Sequence, residues 1–325
     1  MMEHAELAKE LVQALRGRRS QTALSRRLGY STNVVYTWEA GRRFPTASDF
    51  MRLALRSGVD VHAGLARFWG SGAGTLPSDW TARSAITRLL VLMRKEHKLA
   101  ELARRTGISR LTIAGWLEGK AEPRLPELLK VVEATTQRLL DFIAVFVDPA
   151  RVASAGAAWR DMEAQRHVAY ELPWSHAVLR ALELPARAAE TRALKARRIA
   201  TQLGISEAHQ QECLRALEQA RQIRPTRTGY RVTRVLTVDT RAEPQRNRAL
   251  KAHWLRVALE RLERSDDHGG GDLSSYSLFA VSSADYERIR AAHAAYFEQV
   301  RSIARASSKP ERVVLASLQL LTLAG

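Results

Sequence analysis

The chain lacks features that mark several large classes of protein. Its 325 residues include one cysteine, Cys213, so no disulfide can form within the chain and a reducing compartment is expected. No apolar run approaches the roughly 20 residues that a membrane-spanning helix needs. The opening residues, Met-Met-Glu-His-Ala-Glu, lack the basic and apolar regions of a signal peptide. These absences predict a cytoplasmic protein with no membrane segment.

Sequence signals for catalysis and for cofactor binding are also missing. The chain contains no glycine-rich phosphate loop, no dinucleotide fingerprint and no Gly-x-Ser-x-Gly nucleophile motif, although His268 precedes three glycines. His209 and Cys213 are four residues apart, and acidic residues crowd the loop at 266–272, but neither group has the ligand number and spacing of a zinc site. We therefore predict that the protein is not an enzyme and uses no metal or cofactor.

Acidic residues are in deficit. The chain has 51 lysines and arginines against 34 aspartates and glutamates, a net charge of +17. This excess fits a polyanionic partner such as nucleic acid. The positive charge is mostly arginine and is spread along the chain, so charge alone does not identify nucleic acid as the partner. A sequence motif is needed to identify it.

That motif lies between Ser20 and Pro45. Apolar residues at helical spacing lead to Gly29, and Ser31 then begins a second predicted helix. The inner faces of the two helices are apolar: Ala23, Leu24, Leu28, Val34, Val35 and Trp38. This pattern predicts a helix-turn-helix, a motif whose second helix lies in the DNA major groove.

The same pattern occurs again 78 residues later. At this offset, glycine, serine, tryptophan, glycine and proline recur together: Gly29 on Gly107, Ser31 on Ser109, Trp38 on Trp116, Gly41 on Gly119 and Pro45 on Pro123. Coincidence at a single offset indicates a tandem duplication.

The first copy, over about residues 6–57, resembles the lambda-repressor-like (XRE, Cro/cI type) family of helix-turn-helix domains. The resemblance implies base reading by Thr32, Asn33, Tyr36 and Thr37, and phosphate contacts from Gln21, Ser31, Arg42 and Arg43. Asn33 is the main candidate for specificity, because a carboxamide can pair bidentately with adenine. The arginines would fix register without reading sequence. A helical fold used for protein contacts is the alternative.

The second copy departs from this pattern. Leucine replaces the phosphate-anchoring glutamine at Leu99, and the reading positions become Arg110, Leu111, Ala114 and Gly115. Arg110, Lys120 and Arg124 are the DNA contacts that this copy could still make. Whether it binds DNA, or dimerises with or braces the first copy, stays open.

The chain beyond the repeats predicts a third unit. A helix–Gly204–Ser206–helix pattern followed by period-2 text around Gly229 is typical of a winged helix. Strands at about 230–238, Tyr276–Val281 and Val313–Leu323, with a long helix at about 283–306, suggest a small α/β addition. This half resembles a bacterial module of unknown function that is usually found in transcriptional regulators. Direct DNA contact by this unit is also left open. Glutamates on its second helix oppose it, whereas the arginines around the predicted hairpin favour it: Arg221, Arg224, Arg227 and Arg231.

The predicted fold class is mainly α: two lambda-repressor-like helical domains, then a winged helix with a small α/β part. We place the helix-turn-helix domain at 1–67, a linker at 68–82, the second helix-turn-helix domain at 83–147 and a helical connector at 148–173. Residues 174–325 form a regulatory or dimerisation domain.

The function predicted from these features is sequence-specific transcriptional regulation on double-stranded DNA. Because one recognition helix seldom supplies enough affinity, we expect a homodimer on an inverted repeat. The C-terminal domain is a candidate site for a small ligand or peptide. The alternative is a protein-interaction module, such as an antitoxin or adaptor, although the long C-terminal half counts against an antitoxin.

Overall fold

A computed structural model describes residues 3–70, 76–94, 97–185, 191–227, 229–233, 243–264 and 272–323. The fold is mainly helical, as predicted. The chain divides into two compact units, one up to Arg166 and one from His167 onward. Among the described helices, none has both the length and the apolar character required to cross a bilayer.

Five helices form the first repeat. Several begin at a side chain that accepts a hydrogen bond from a free backbone N–H of the first turn: Ser20 from Ala23, Thr46 from Asp49, and Asp60 from Ala63. The helices are α1 (His4–Arg16), α2 (Gln21–Arg27), α3 (Val34–Glu39), α4 (Ala47–Arg56) and α5 (Val61–Trp69).

Five helices follow in the same order at the offset of 78 residues. They are α6 (Arg83–Arg94), α7 (Leu99–Thr106), α8 (Arg110–Leu117), α9 (Leu125–Thr136) and α10 (Leu139–Ile143). Helices α2 and α7, and helices α4 and α9, begin at equivalent positions. Helix α8 begins two residues earlier than its counterpart α3. A 3₁₀ turn at Pro149–Arg151 leads to α11 (Gly156–Glu171).

The two repeats share one hydrophobic core, which runs from Leu7 in α1 to Met162 in α11. Trp80, inside the predicted linker at 68–82, is 2% exposed and belongs to that core. Residues 71–75 of the linker lie outside the described residues. The structure therefore joins the two predicted N-terminal domains in one compact body.

The second unit begins with three helices and a hairpin. They are α12 (Trp174–Leu182), α13 (Arg192–Leu203), α14 (Glu207–Gln219), β1 (Ile223–Thr226) and β2 (Gly229–Val232). The two strands are antiparallel, with Ile223 opposite Val232. Apolar residues of the three helices and Ile223 form a separate core. This element order is the one predicted for a winged helix. The predicted strand at 230–238 runs beyond residue 233 into positions that the structure does not describe.

The rest of this unit contains two long helices, α15 (Pro244–Arg264) and α16 (Ser283–Ala306). Helix α16 has the predicted bounds, and Ser282 caps it by accepting the Asp285 N–H at 3.1 Å. The predicted strands Tyr276–Val281 and Val313–Leu323 are wrong within the described residues, because neither segment pairs with another strand. Apolar alternation predicts an extended backbone, but it does not supply a neighbouring strand.

Candidate nucleic-acid interface

The turn between α2 and α3 is held from inside by Ser25. Its buried Oγ accepts the Val35 N–H at 3.1 Å and lies 2.8 Å from the Gln21 carbonyl oxygen and 3.1 Å from Asn33 Oδ1. Gly29 closes the turn with a φ of +89°, in the left-handed region that L side chains avoid. One hydroxyl therefore connects the two helices and fixes the direction of α3.

The predicted reading residues lie at the start and on the outer side of α3. Helix α3 begins at Val34 rather than at Ser31, so Ser31 and Thr32 precede it, and both are exposed. Tyr36 is 44% exposed, the largest exposed aromatic side chain of the first repeat. Thr37 is half-buried, and its hydroxyl donates to the Val34 carbonyl at 2.7 Å. Thr32 and Tyr36 are the more accessible of the four.

Asn33 is the N-cap of α3. Its Oδ1 accepts the Tyr36 N–H at 3.3 Å and also faces the Ser25 hydroxyl. Bidentate pairing with adenine would use the same oxygen as an acceptor together with the amide nitrogen as a donor. The structure thus gives Asn33 a capping role, and the side-chain NH₂ is the group that this role leaves for DNA.

Gln21 belongs to a charged network under the recognition helix. Its Nε2 donates to Glu39 Oε2 at 2.6 Å, and Arg16 Nε donates to Glu39 Oε1 at 2.5 Å. The Glu39 side chain is only 6% exposed. An amide nitrogen carries two hydrogens, so Glu39 holds the Gln21 side chain in place through only one of them. Sequence reasoning missed this positioning role of Arg16 and Glu39.

Arginines surround the outer surface of the first repeat. Arg42 and Arg43 are exposed just past α3, and Arg42 Cζ lies 5.4 Å from the centroid of the Tyr36 ring. This cation–π distance places a guanidinium beside a candidate reading side chain. Sequence reasoning did not assign four other exposed arginines that flank α2: Arg18, Arg19, Arg26 and Arg27. These arginines lie within or next to the helix-turn-helix motif in the sequence, and this position could have identified them as candidate phosphate contacts.

Tyr30 supports the motif from behind. Its ring lies edge-on to Trp38, with centroids 5.9 Å apart, and its hydroxyl donates to Asp49 Oδ1 at 2.8 Å. Burial, followed by the hydrogen bond and negative charge of Asp49, raises the pKa of Tyr30 to about 12. This bond ties the turn to α4, whose Arg52 also donates to Asp49.

The second repeat builds the same motif with different chemistry. Ser109 caps α8 by accepting the Thr112 N–H at 3.1 Å. Leu99 and Leu117 occupy the positions equivalent to Gln21 and Glu39, and both pack against the apolar core. Packing of these two leucines against the core therefore takes the place of the hydrogen bonds among Arg16, Gln21 and Glu39.

The second repeat also presents fewer available cations among its predicted DNA contacts. Arg110 is exposed on α8 beside Leu111, which is 86% exposed. Lys120 is paired with Glu118 at 2.6 Å, and the hydrogen bond and charge of Glu118 raise its pKa. Arg124 Nη1 donates to the Phe44 carbonyl of the first repeat at 2.7 Å. Of the three predicted contacts, Arg110 is the one whose side chain the structure leaves uncommitted.

The third helix pair, α13 and α14, carries paired rather than available charges near its turn. Arg197 Nε donates to Glu207 Oε1 at 2.9 Å across the turn. At the hairpin, the Arg192 guanidinium lies 4.3 Å from the centroid of the Tyr230 ring and donates to its hydroxyl. The hairpin also exposes Arg224, Arg227 and Arg231, so direct DNA contact by this unit stays an open prediction.

A family model described as a domain of unknown function, DUF4423, matches residues 155–323, just over half of the chain. The chain belongs to the DUF4423 family. A second model, described as helix-turn-helix, matches residues 91–138, which include α7, α8 and α9. No curated protein and no solved structure matches the chain. The helix-turn-helix match thus falls on the second repeat, the copy with the poorer set of reading side chains.

Proposed function

We propose that this DUF4423 protein is a sequence-specific, DNA-binding transcriptional regulator whose first repeat reads base edges. The observation that carries the proposal is the surface around α3. It combines exposed Thr32 and Tyr36 with the neighbouring exposed guanidinium groups of Arg42 and Arg43. Donors and an aromatic ring on a short helix suit base edges, and flanking arginines suit phosphates. The helix-turn-helix match to the adjacent repeat supports the same role.

Within this proposal, the first-repeat residues have separable tasks. Thr32, Tyr36, Thr37 and the NH₂ of Asn33 read bases, while Gln21, Ser31, Arg42 and Arg43 hold phosphates. The cation–π contact between Arg42 and Tyr36 couples the two tasks. A DNA-binding function is also consistent with the cytoplasmic location that the sequence predicts.

The C-terminal unit is proposed to regulate this binding. It exposes apolar side chains along the segments beside α16: Leu273, Tyr276, Leu278, Val314, Leu321 and Leu323. Such exposure is typical of an interaction surface. A regulatory ligand or peptide and a dimerisation role for residues 174–325 stay predictions. So does the winged-helix assignment.

A protein-interaction function is the second candidate, and Leu111 is the observation that favours it. This leucine is 86% exposed on α8, at a position where the first repeat has Asn33. Next to Ala114 and Gly115, it makes the outer side of α8 apolar. If both repeats bound protein instead of DNA, the full chain would retain no duplex from a random library.

The test is a selection from a random duplex library at about 150 mM salt, followed by sequencing of the retained DNA. An enriched motif supports the regulator, since nonspecific binding by a basic protein retains DNA without enrichment. The double variant Arg42→Gln, Arg43→Gln should then weaken binding to all duplexes. The slope of log affinity against log salt concentration should become shallower by about 1.8, because two phosphate contacts are lost.

The matched control is Arg56→Gln with Arg67→Gln. Both residues are exposed, they lie on α4 and α5, and their replacement removes the same charge. Affinity and salt slope should change little in this control. An equal loss in both double variants would mean that net charge, and not the surface around α3, binds the DNA.

A further inference from the structure

The loops that leave α3 and α8 meet in a short antiparallel pairing, here called the repeat junction. Ala47 N donates to the Pro123 carbonyl at 2.9 Å, and Leu125 N donates to the Pro45 carbonyl at 2.9 Å. Thr46 and Arg124 form the bridge between them. Both prolines are buried. Ala47 and Leu125 are buried as well, whereas Arg124 is exposed, so the junction runs from the shared core to the surface of the unit that the two repeats form.

These two hydrogen bonds are reciprocal under the repeat. Pro45 and Pro123 are equivalent at the offset of 78, and so are Ala47 and Leu125. Pro45 of the first repeat is bonded to Leu125 of the second, and Pro123 of the second repeat is bonded to Ala47 of the first. That exchange is the signature of an isologous interface, the kind that a two-fold axis generates in a homodimer. Here it occurs within one chain.

Helix packing follows the same rule. Helix α4 packs on its counterpart α9, and α5 packs on its counterpart α10. Helix α1 packs on α9, and the equivalent pair, α6 with α4, is also in contact. Side chains of both repeats form one core. The pseudo-two-fold relation thus extends from the junction to these helix pairs.

Two further contacts make the halves unequal. The Ser48 N–H and hydroxyl donate to the carboxylate of Glu122 at 3.1 and 2.9 Å, and Arg124 Nη1 donates to the Phe44 carbonyl. The equivalents of Glu122 and Ser48 are Phe44 and Pro126, which cannot form the reciprocal side-chain bonds. These contacts form only when a first repeat pairs with a second repeat. The junction therefore favours the pair within one chain over a pair of two first repeats or two second repeats.

The junction also limits how far apart the two candidate recognition helices end. Helix α3 ends at Glu39, six residues before Pro45, and α8 ends at Leu117, six residues before Pro123. Six residues span at most roughly 22 Å, so the two helix ends lie within about 50 Å of each other across the junction. The separation of about 34–36 Å between half-sites one helical turn apart falls inside this limit.

We propose that one chain occupies one DNA site composed of two unequal half-sites in inverted orientation. This proposal rests on the DNA-binding function proposed above. Thr32, just before α3, and Tyr36, on α3, read one half-site. Helix α8 holds the other through Arg110, with little base preference, because Leu111, Ala114 and Gly115 offer no side-chain donor. The intrachain pair then replaces the homodimer on a palindrome that the sequence alone suggested.

The first test is stoichiometry. The full chain, of 36.4 kDa, is mixed with the duplex enriched in the selection, and the complex is weighed by sedimentation or mass photometry. One chain per duplex, with protection of two adjacent half-sites, is the expected result. Two chains per duplex would overturn the proposal while leaving the regulator intact. If no duplex is enriched, the proposed function itself fails.

A second test uses a shortened duplex that keeps only the half-site read by α3. Loss of the second half should weaken binding by about tenfold or more, because the linked second contact is removed. Arg110→Ala should weaken binding to the full duplex and leave binding to the shortened one unchanged. Arg56→Ala, which removes an exposed arginine of α4, is the control and should affect neither. An Arg110→Ala variant that binds the full duplex normally contradicts the role of α8.

Discussion

The two repeats place the same helices on the same backbone plan and hold them with opposite chemistry. In the first, Glu39 is nearly buried and receives hydrogen bonds from Arg16 and Gln21. In the second, Leu99 and Leu117 occupy the equivalent positions, and both are partly buried and pack against the core. The fold tolerates either solution. A buried carboxylate carries a desolvation cost that leucines avoid, so the charged version fits our proposal that Gln21 is held in position to contact a phosphate.

The largest expected effect on stability comes from a buried ion cluster around Asp141, a residue of the second repeat whose counterpart in the first repeat is uncharged. Asp141 of α10 receives Arg166 Nη2 at 2.7 Å and lies 3.7 Å from Arg138 Nε, and Ala63 is its counterpart in the first repeat. Asp141→Ala should cost about 3–5 kcal/mol of unfolding free energy, because the buried Arg138 guanidinium loses this carboxylate and the buried Arg166 guanidinium keeps the partly exposed Glu163 as its carboxylate partner. Urea unfolding of the full chain measures this loss. Glu101→Ala, at an exposed ion pair with Arg105, is the control and should cost less than about 1 kcal/mol.

Transplanting the second repeat's chemistry into the first sharpens the comparison directly. Glu39→Leu alone should destabilise the protein by about 1–3 kcal/mol, since Arg16 and Gln21 lose their acceptor. The double variant Gln21→Leu, Glu39→Leu should recover part of that loss, because it introduces the two leucines, Leu99 and Leu117, that the second repeat packs against the core at these positions. Its affinity for DNA should nevertheless stay reduced. A double-mutant cycle from urea unfolding, with binding measured in parallel, separates the two effects. Strictly additive costs would show that the network is not a unit.

The repeats should also differ in their response to alkali. Tyr30 has a pKa of about 12 in the folded state, above its ordinary value of 10, and its counterpart in the second repeat is Ile108. Between pH 10 and 12 the unfolded chain loses this proton while the folded chain keeps it, so unfolding becomes easier as pH rises.

The measurement is the difference in unfolding free energy between the wild type and Tyr30→Phe across that range. The Tyr30 contribution, about 1–2 kcal/mol after allowance for solvent screening, should be complete below pH 10 and vanish by pH 12. Parallel curves for the two proteins over the whole range would contradict the raised pKa.

Asn33 separates the capping role from the reading role. Asn33→Ala should lose about 1 kcal/mol of stability along with one base preference. Asn33→Asp keeps the oxygen that accepts the Tyr36 N–H but removes the NH₂ donor, so stability should be largely retained while the preference is still lost. Thermal unfolding and competition binding with substituted duplexes distinguish the two variants. Retained preference in Asn33→Asp would mean that Asn33 only caps α3.

Local features were predicted well from the sequence, because neighbouring residues determine them. The offset of 78, the turn glycines Gly29 and Gly107 and the bounds of α16 all follow from short-range patterns. The start of α3 at Val34 was missed because Ser31 and Asn33 are both good N-caps, and contacts with Ser25 favour the second.

Features that depend on distant partners could not be predicted in the same way. The pairing of Pro45 with Leu125 joins residues 80 apart, and nothing near either residue announces it. The buried position of Trp80 within a glycine- and serine-rich stretch likewise depends on the shared core. The segments at 276–281 and 313–323 have the alternation of strands without the partner that would pair with them.

The division of labour between the repeats is most directly tested by repeating the library selection with three proteins: the wild type, Tyr36→Ala and Arg110→Ala. We expect Tyr36→Ala to change the enriched bases in one half-site and Arg110→Ala to reduce retention without changing the motif. An unchanged motif in Tyr36→Ala, or an altered one in Arg110→Ala, would contradict the assignment of base reading to the first repeat.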